Sequence, residues 1–559
     1  MNQLQDLVVE LRMEAFYSPM RTFIRASLLL LLASFAAAAD EAEQQPENAA
    51  AELEGLLIGN IVLDKSDVFD LTDPRENNFL YRLANKLHIV TKDKVITKQL
   101  LLKPGEPYSK RLADESERIL RDNKYLYDAV LTPKKTAEGT ADLHVATRDV
   151  WTLKPILSVS RRGGENKTSF GVQELNLVGR GQKILLERTE DVDRTSNTFE
   201  FVDQHLGRSW ISAAVLFADS SDGQTQFLSL VRPFYALDTR WAAGMTAFDS
   251  DSRRALYDLG EEAAEYQQQR QRFSAFGGWS SGLRDGWVRR YSAGVVFDDN
   301  QFSPVVDGVL PPAVPEDREF NYPFLGIEVL QDQFETAHNR EQIDRTEDFY
   351  TGTRFSATLG WADESAGSSQ DALLYTASYG RGFGSLQKKA LLLSASASGR
   401  QESGDSRNVL VGIDARYFNQ QSDKRVFYAT VSGTLGHDLD LDNVVELGGD
   451  SGLRGYPLRY QSGDSKLLLT VEQRYFLDWY PFRLFRVGGA IFADAGRTWG
   501  DNPVGGESQG WLRDVGFGLR FASTRSGVDK IVHLDIAFPL DGDPSIDNVQ
   551  ILLESKKSF

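Results

Sequence analysis

From Trp151 to Phe559 the sequence repeats one pattern. Segments of roughly ten residues alternate apolar and polar side chains, separated by clusters of Gly, Asp, Ser and Asn. In Lys530 to Leu540, Val532, Leu534, Ile536 and Phe538 share one strand face, while His533 and Asp535 share the other. In Lys466 to Phe476, Leu467, Leu469, Val471 and Tyr475 oppose Thr470, Glu472 and Arg474. A period of two sustained this far excludes a helical bundle. The 47 glycines and 11% aromatic content fit many tight turns and interfacial rings. Trp151, Trp210, Trp241, Trp279, Trp287, Trp361, Trp479, Trp499 and Trp511 all stand at or near segment ends, where an aromatic girdle sits. Connections read as alternately short (Leu175 to Gly181, Leu206 to Arg208) and long (Ser250 to Glu262, Asp299 to Phe320). A soluble sandwich has short turns at both ends. Short turns on one side and long loops on the other predict a transmembrane β-barrel, an all-β fold with an even number of antiparallel strands. Pattern counting gives roughly fifteen strands before the Arg454 loop and five after it, up to twenty in all.

The N-terminus reads as an export signal. Met20-Arg-Thr-Phe-Ile-Arg25 is basic, Ala26 to Phe35 is apolar, and Ala37-Ala38-Ala39 precedes Asp40 as a small-residue cleavage site. Residues 1–19 fit no part of a signal, so the start is read as Met20 or Met13. Residues 1–39 are assigned to the signal and the acidic, Gln- and Ala-rich 40–54 to a disordered linker. No later stretch approaches the length of an apolar helical span.

Several functions are excluded by composition. The absence of cysteine removes thiol nucleophiles and cysteine-ligated zinc. A net charge of −18 argues against nucleic acid as a partner. Gly449-Asp450-Ser451-Gly452 matches a serine-protease tetrapeptide, but there is no nucleophile elbow and no recognisable His/Asp partner. No enzymatic activity and no cofactor is expected. Asp438-Leu-Asp-Leu-Asp442 reads as a solvated acidic loop rather than a calcium site, since it lacks the liganding turn.

Residues 55–150 form a separate α+β pattern. Leu56 to Leu63 is a strand. A helix is expected from Asp73-Pro74, with Phe79, Leu80, Leu83 and Leu87 as its apolar face. A second helical stretch covers Thr91 to Leu102. Ser109 is placed to cap a third helix, whose face is Leu112, Ile119 and Leu120. Tyr125 to Leu131 and Leu143 to Trp151 are strands, with Pro133 to Gly139 as a loop. This order, with Leu102-x-x-Gly105-x-x-Tyr108 and Leu120-Arg121-x-x-x-Tyr125, resembles a POTRA domain. The resemblance implies a periplasmic module that binds unfolded chains by adding a strand to an open sheet edge.

The chemistry concentrates in Asn443 to Trp499. Arg454 lies in Gly452-Leu-Arg-Gly-Tyr456, where glycines allow positive φ and close backbone approach. If Val487, Ile491 and Ala493 face lipid, then Phe492, Asp494 and Gly496 face the lumen, as do Glu472 and Arg474 one strand earlier. Arg454 and Asp494 then make a plausible bidentate pair, with Glu472 as second candidate. On spacing alone, a solvated turn arginine is the favoured reading. Leu453-Arg454-Gly455-Tyr456, followed by Phe492-x-Asp494-x-Gly496, is similar to the paired motifs of the BamA/TamA bacterial surface antigen superfamily. So is Glu174-Leu-Asn176-Leu-Val-Gly179-Arg-Gly181. The resemblance implies a Gram-negative outer-membrane barrel of about sixteen strands, with residues 151–559 as barrel and 443–465 folded into it. In that family the loop is locked by the arginine–aspartate pair, and first and last strands meet at a weak seam. It also implies polypeptide clients, a lipid environment and accessory periplasmic proteins. The terminal Phe559 is similar to the C-terminal assembly signal of such barrels, with Val549, Ile551 and Leu553 on its face and Lys557 as a departure. Three functions remain open: an insertase for outer-membrane proteins, a translocator for one secreted partner or lipid, and a passive channel.

Overall fold

The computed structural model describes residues 53–305, 308–309, 311–506, 508–526, 530–544 and 546–559. The expected signal (1–39) and most of the expected linker lie outside the described residues. Leu53, assigned to the linker, is buried in the core of the first domain.

That domain holds a three-stranded sheet in the order β1-β3-β2, built from β1 (Ile58–Ser66), β2 (Leu126–Lys135) and β3 (Ala141–Asp149). Strand β3 pairs parallel with β1 and antiparallel with β2. Helices α1 (Phe79–Leu87), α2 (Asp93–Thr97) and α3 (Lys110–Arg121) lie between β1 and β2 in sequence. Fully buried Ile96, Leu120, Leu126 and Val145 anchor the core. Each such side chain contributes about 1.5–3 kcal/mol relative to exposure.

Four local expectations are corrected. Helix α1 starts at Phe79, not Asp73, because Asn78 caps it by accepting the Tyr81 N–H at 3.0 Å. The segment 91–102 is helical only over α2. Ser109 makes no side-chain cap; the Glu54 carboxylate accepts the Lys110 N–H instead, at 2.8 Å. Pro133 lies inside β2 rather than in a loop, which a sheet edge tolerates because a missing N–H there faces outward.

Among the described residues, twenty antiparallel strands then close a barrel. They are β4 (Leu153–Arg162), β5 (Glu165–Glu174), β6 (Gln182–Glu190), β7 (Thr195–Asp203), β8 (Ser212–Ser220), β9 (Gly223–Arg232), β10 (Trp241–Asp258), β11 (Glu261–Arg284), β12 (Trp287–Pro304) and β13 (Arg318–Gln331). After a small hairpin, β14 (Phe334–Ala337) and β15 (Glu347–Tyr350), the wall resumes with β16 (Arg354–Ala362), β17 (Ala372–Ser385), β18 (Lys389–Glu402), β19 (Asp405–Ser422) and β20 (Arg425–His437). A second hairpin, β21 (Val445–Leu447) and β22 (Gln461–Gly463), precedes β23 (Ser465–Phe476), β24 (Phe485–Trp499), β25 (Leu512–Ser523), β26 (Ile531–Pro539) and β27 (Gln550–Lys556). The sixteen strands implied by resemblance are thus too few. Segments 265–299 and 405–437 supply wall strands, each hydrogen-bonded to wall strands on both sides.

The outward faces carry large exposed apolar side chains, among them Leu157, Leu325, Ile491 and Phe517. That is the surface hydrocarbon covers on a membrane barrel. The expected long loop Ser250 to Glu262 is instead strand, because Leu259 and Gly260 both take positive φ and make a two-residue turn. The 24-residue β11 therefore projects well past the roughly ten residues needed to cross a bilayer. The expected loop Asp299 to Phe320 is strand at both ends, since β12 runs to Pro304 and β13 begins at Arg318.

The turns at the domain end are not all short. Residues 332–353 fold into that end of the barrel. Ala337, Ile343 and Phe349 pack there against Leu386, Phe418, Phe476 and Phe559. Phe559 lies past the end of β27, and its ring is buried against Phe476 at 4.8 Å. It is therefore not on the outward face with Ile551, which is 53% exposed. The Phe559 N–H donates to the Glu341 carbonyl at 2.7 Å, which turns the terminus inward. We predict that Phe559→Ala destabilises the folded barrel by about 3–5 kcal/mol, the usual cost of emptying a buried aromatic site. The loss of the fast-migrating folded form on heating reads this directly; an unchanged transition contradicts the inward placement.

Candidate functional site

The segment joining β20 to β23 runs from the far rim down into the lumen. Its root is fastened by three arginines of the wall. Asp438 pairs with Arg407 at 2.8 Å, Asp440 with Arg400 at 2.6 Å, and Asp442 with Arg318 at 2.8 Å. The expected solvated acidic loop is thus an ion-paired one, because each aspartate meets a strand arginine. Strands β21 and β22 pair next, and the tip between them turns inward.

Leu453, Tyr456 and Tyr460 bury themselves against Leu447, Leu468 and Leu512. The Tyr456 hydroxyl donates to the Arg513 carbonyl at 2.7 Å and accepts the Arg513 N–H at 3.0 Å. Gly452 has φ +118, which bends the tip. A Cβ on Gly455 would lie 2.7 Å from the Asp514 Cβ, and one on Gly496 would lie 2.9 Å from the Leu447 Cδ2. Both glycines are needed because loop and wall approach this closely.

Arg454 then reaches two wall strands, β23 and β24. Its Nε and Nη2 donate to the two Asp494 carboxylate oxygens at 2.7 and 2.9 Å. Its Nη1 donates to Glu472 Oε1 at 2.8 Å. The guanidinium lies over the Phe492 ring, 3.4 Å from the centroid. The neighbouring Gly455 N–H donates to Asp514 Oδ2 at 3.0 Å. Thr470 holds Asp494 Oδ1 at 2.7 Å. Arg454, Glu472 and Asp494 are almost wholly buried. As expected from alternation, Ile491 and Ala493 face outward. Val487 shares that strand face but is covered at the domain end, where Leu477 folds back to donate to its carbonyl.

The cluster extends toward the domain. Glu472 Oε2 accepts from Arg474 at 2.8 Å, and Arg474 donates to the Arg340 carbonyl at 2.7 Å. Arg340 is itself buried and donates to the Leu386 carbonyl and, at 2.7 Å, to the His338 carbonyl. Glu347 accepts the N–H groups of Arg340 and Glu341, both at 2.8 Å. Sequence reasoning missed this whole segment. Its only signal was the run Arg340-Glu-Gln-Ile-Asp-Arg345, a polar stretch too long for a domain-end turn.

The same segment meets the first domain. Arg121 makes a bidentate pair with Asp348, both bonds 2.7 Å, and Arg345 donates to the Tyr127 carbonyl at 3.0 Å. A second clip uses Asn176. Its amide donates to Thr91 Oγ1 at 2.8 Å and its carbonyl accepts the Gly181 N–H at 2.6 Å. Gly179 approaches so closely that a Cβ would lie 2.7 Å from the Val90 carbonyl. Thr91 in turn donates to Asp149, whose carboxyl is held above its ordinary pKa, chiefly by burial.

The barrel closes between its first and last strands. Here the pairing has a single registered position, Leu553 with Arg161, whereas β4 pairs with β5 from Leu153 to Arg162. Side chains supplement it: Arg162 pairs with Glu554.

Ser451 bonds only within its own turn, accepting the Gly448 N–H at 2.8 Å. Among the described residues, no group of three or more His, Cys, Asp or Glu side chains is placed to hold a metal.

No protein-family model matches the chain. No curated protein matches it in sequence. Among solved structures, BamA from Haemophilus ducreyi lacking POTRA domains 1–3 aligns at 11% identity and TM-score 0.36, covering 97% of this chain and 99% of that one. CdiB from Acinetobacter baumannii aligns at 13% identity and TM-score 0.43, covering 99% and 96%. CdiB from Escherichia coli aligns at 11% and 0.44, covering 90% and 77%.

Arg454 has two carboxylate partners, so its removal strands more charge than the removal of either partner. We predict that Arg454→Ala destabilises the in-folded loop by about 3–5 kcal/mol. Asp494→Ala costs less, because Glu472 still pairs with the guanidinium. Arg454→Lys does not restore the forked geometry. Protease nicking at 443–465 in the folded barrel measures this; equal nicking of wild type and Arg454→Ala contradicts it.

Proposed function

We propose that this chain is a Gram-negative outer-membrane protein that inserts or translocates polypeptides. Its first domain works in the periplasm as a POTRA-like receptor, and residues 443–465 act as a conformational lock through Arg454 and Asp494. The observation that carries the reading is the seam. A barrel in lipid must satisfy its backbone hydrogen bonds internally, and this one leaves a single registered pair between β4 and β27. A strand of an unfolded client matches such an unpaired edge.

Two further features support the reading. Sheet edges β1 and β2 are offered by the first domain, with the Tyr127 carbonyl of β2 already taken by Arg345. The lumen holds one segment from each end, which disfavours a passive channel. The partners are therefore unfolded outer-membrane or secreted polypeptides and membrane lipid, with accessory periplasmic proteins as further candidates.

The test uses the cysteine-free background. Antiparallel partners stand about 4.5–5.5 Å apart between Cα atoms, within disulfide reach. Arg161→Cys with Leu553→Cys, oxidised in proteoliposomes, is expected to stop client insertion, and a reductant to restore it. Insertion that continues through an oxidised seam overturns the lateral route. Depletion in cells then separates the two polypeptide roles. Loss of many barrels supports insertion, and loss of one secreted product identifies a dedicated translocator.

A further inference from the structure

Helix α1 turns its apolar face away from the chain. At about 100° per residue, Phe79, Leu83, Leu87 and Leu80 fall within an arc of about 100°. They are 69%, 39%, 63% and 67% exposed. Helix α1 has no buried residue at all. Its attachment uses the opposite side. The Tyr81 ring stacks on Phe69 at 4.1 Å, and Asn85 bonds both the N–H and the carbonyl of Phe69, at 3.1 and 2.8 Å. The apolar face that the sequence marks is thus present and left uncovered by the domain. Short helices are ordinarily stabilised by burying that face, so something outside the chain covers it.

Its position says what. The Tyr81 hydroxyl donates to the Phe482 carbonyl, and Asp73 lies 3.8 Å from Arg483. Both partners belong to the turn joining β23 and β24 at the domain end. That turn exposes Leu477 by 45%, Trp479 by 57% and Phe482 by 77%. Outward faces of the strands it joins carry the exposed Val471 and Ile491. The apolar surface of the wall thus reaches the rim where α1 is fastened. Arg82 and Lys86 stand exposed beside the apolar arc. An apolar arc flanked by cations is the composition of a helix that lies in a membrane interface, with the cations reaching lipid phosphates.

We infer that α1 is an interfacial anchor for the first domain, seated in the periplasmic leaflet beside β23 and β24. Its ligand is phospholipid: acyl chains and glycerol against Phe79, Leu80, Leu83 and Leu87, and phosphate against Arg82 and Lys86. The inference rests on the membrane reading of the barrel. It adds a third tether to the Arg121 and Asn176 clips and fixes the domain's tilt under the barrel.

The full chain, purified and reconstituted in phosphatidylethanolamine/phosphatidylglycerol vesicles, tests this. Single cysteines replace Leu80, Leu83, Ile491 or Glu138 and carry an environment-sensitive fluorophore; folded mobility on cold gels is required of each. Glu138 lies in the β2–β3 turn, at the end of β3 away from the barrel. Labels at Leu80→Cys and Leu83→Cys are expected to shift blue, to lose emission to lipids quenched near the headgroup, and to resist aqueous iodide. The label at Glu138→Cys behaves oppositely, and that at Ile491→Cys responds to deep-quenched lipid. If Ile491→Cys responds but both helix labels stay in water, the anchor is overturned and the barrel reading stands. If Ile491→Cys also stays in water, the membrane reading fails and the anchor fails with it. No protein partner is present in these vesicles, so a face that only a protein covers also gives the overturning result.

Discussion

A guanidinium taken out of water costs several kcal/mol unless carboxylates meet it in good geometry. Arg454 is 4% exposed, and the far-side loop depends on how that cost is met. Asp494 meets it with two near-parallel hydrogen bonds, Glu472 with one, and Phe492 with its ring face. These partners come from β23 and β24, while Asp514 on β25 takes the next backbone N–H. The loop is therefore placed by three adjacent wall strands at once. Glu472 then shares its second oxygen with Arg474, which holds the Arg340 carbonyl. One run of charge-assisted bonds thus joins the segment entering from the far rim to the one entering from the domain end. Moving either segment breaks a bond on which the other depends.

The closure of the barrel follows the opposite logic. Every other wall junction is a ladder several residues long, and its strength is distributed over backbone bonds. Between β4 and β27 the ladder shrinks to one registered pair, and a side-chain pair, Arg162 with Glu554, stands beside it. Leu157 on β4 is 85% exposed, so this strand gains little from packing. The junction lies beside the strand that ends in the inward-turned Phe559. Since the Phe559 N–H bonds Glu341, the domain-end segment also steadies the last strand.

Much of this was legible in the residues, for a physical reason: period-two alternation reports which face of a strand is buried. It yielded the strand number by counting and turned Glu472, Arg474, Phe492 and Asp494 inward. The count of sixteen came from resemblance alone, while pattern counting gave up to twenty. Alternation carries nothing about a segment that folds back into the lumen. Residues 332–353 look like a polar loop, since their charges are satisfied by partners distant in sequence, such as Arg121 for Asp348. The pattern of α1 likewise announces an apolar face without saying what covers it. Phe559 was misplaced because β27 ends at Lys556, so strand parity no longer applies to it.

Strand number also explains why the lumen is filled as it is. Barrel diameter grows with the number of strands, and side chains alone fill the interior only of small barrels. Twenty strands leave space that wall residues cannot occupy. Both ends of the lumen are occupied by inserted segments instead, each with a modest apolar contact and several buried ion pairs. An apolar plug would be held by contact area alone and would be indifferent to register. A plug held by forked arginine–carboxylate contacts is specific in position, since the geometry is satisfied in one place. It is also releasable, because a displaced guanidinium regains its hydration on leaving the lumen. In this wide barrel the second kind of filling fixes both inserted segments at one position against the wall.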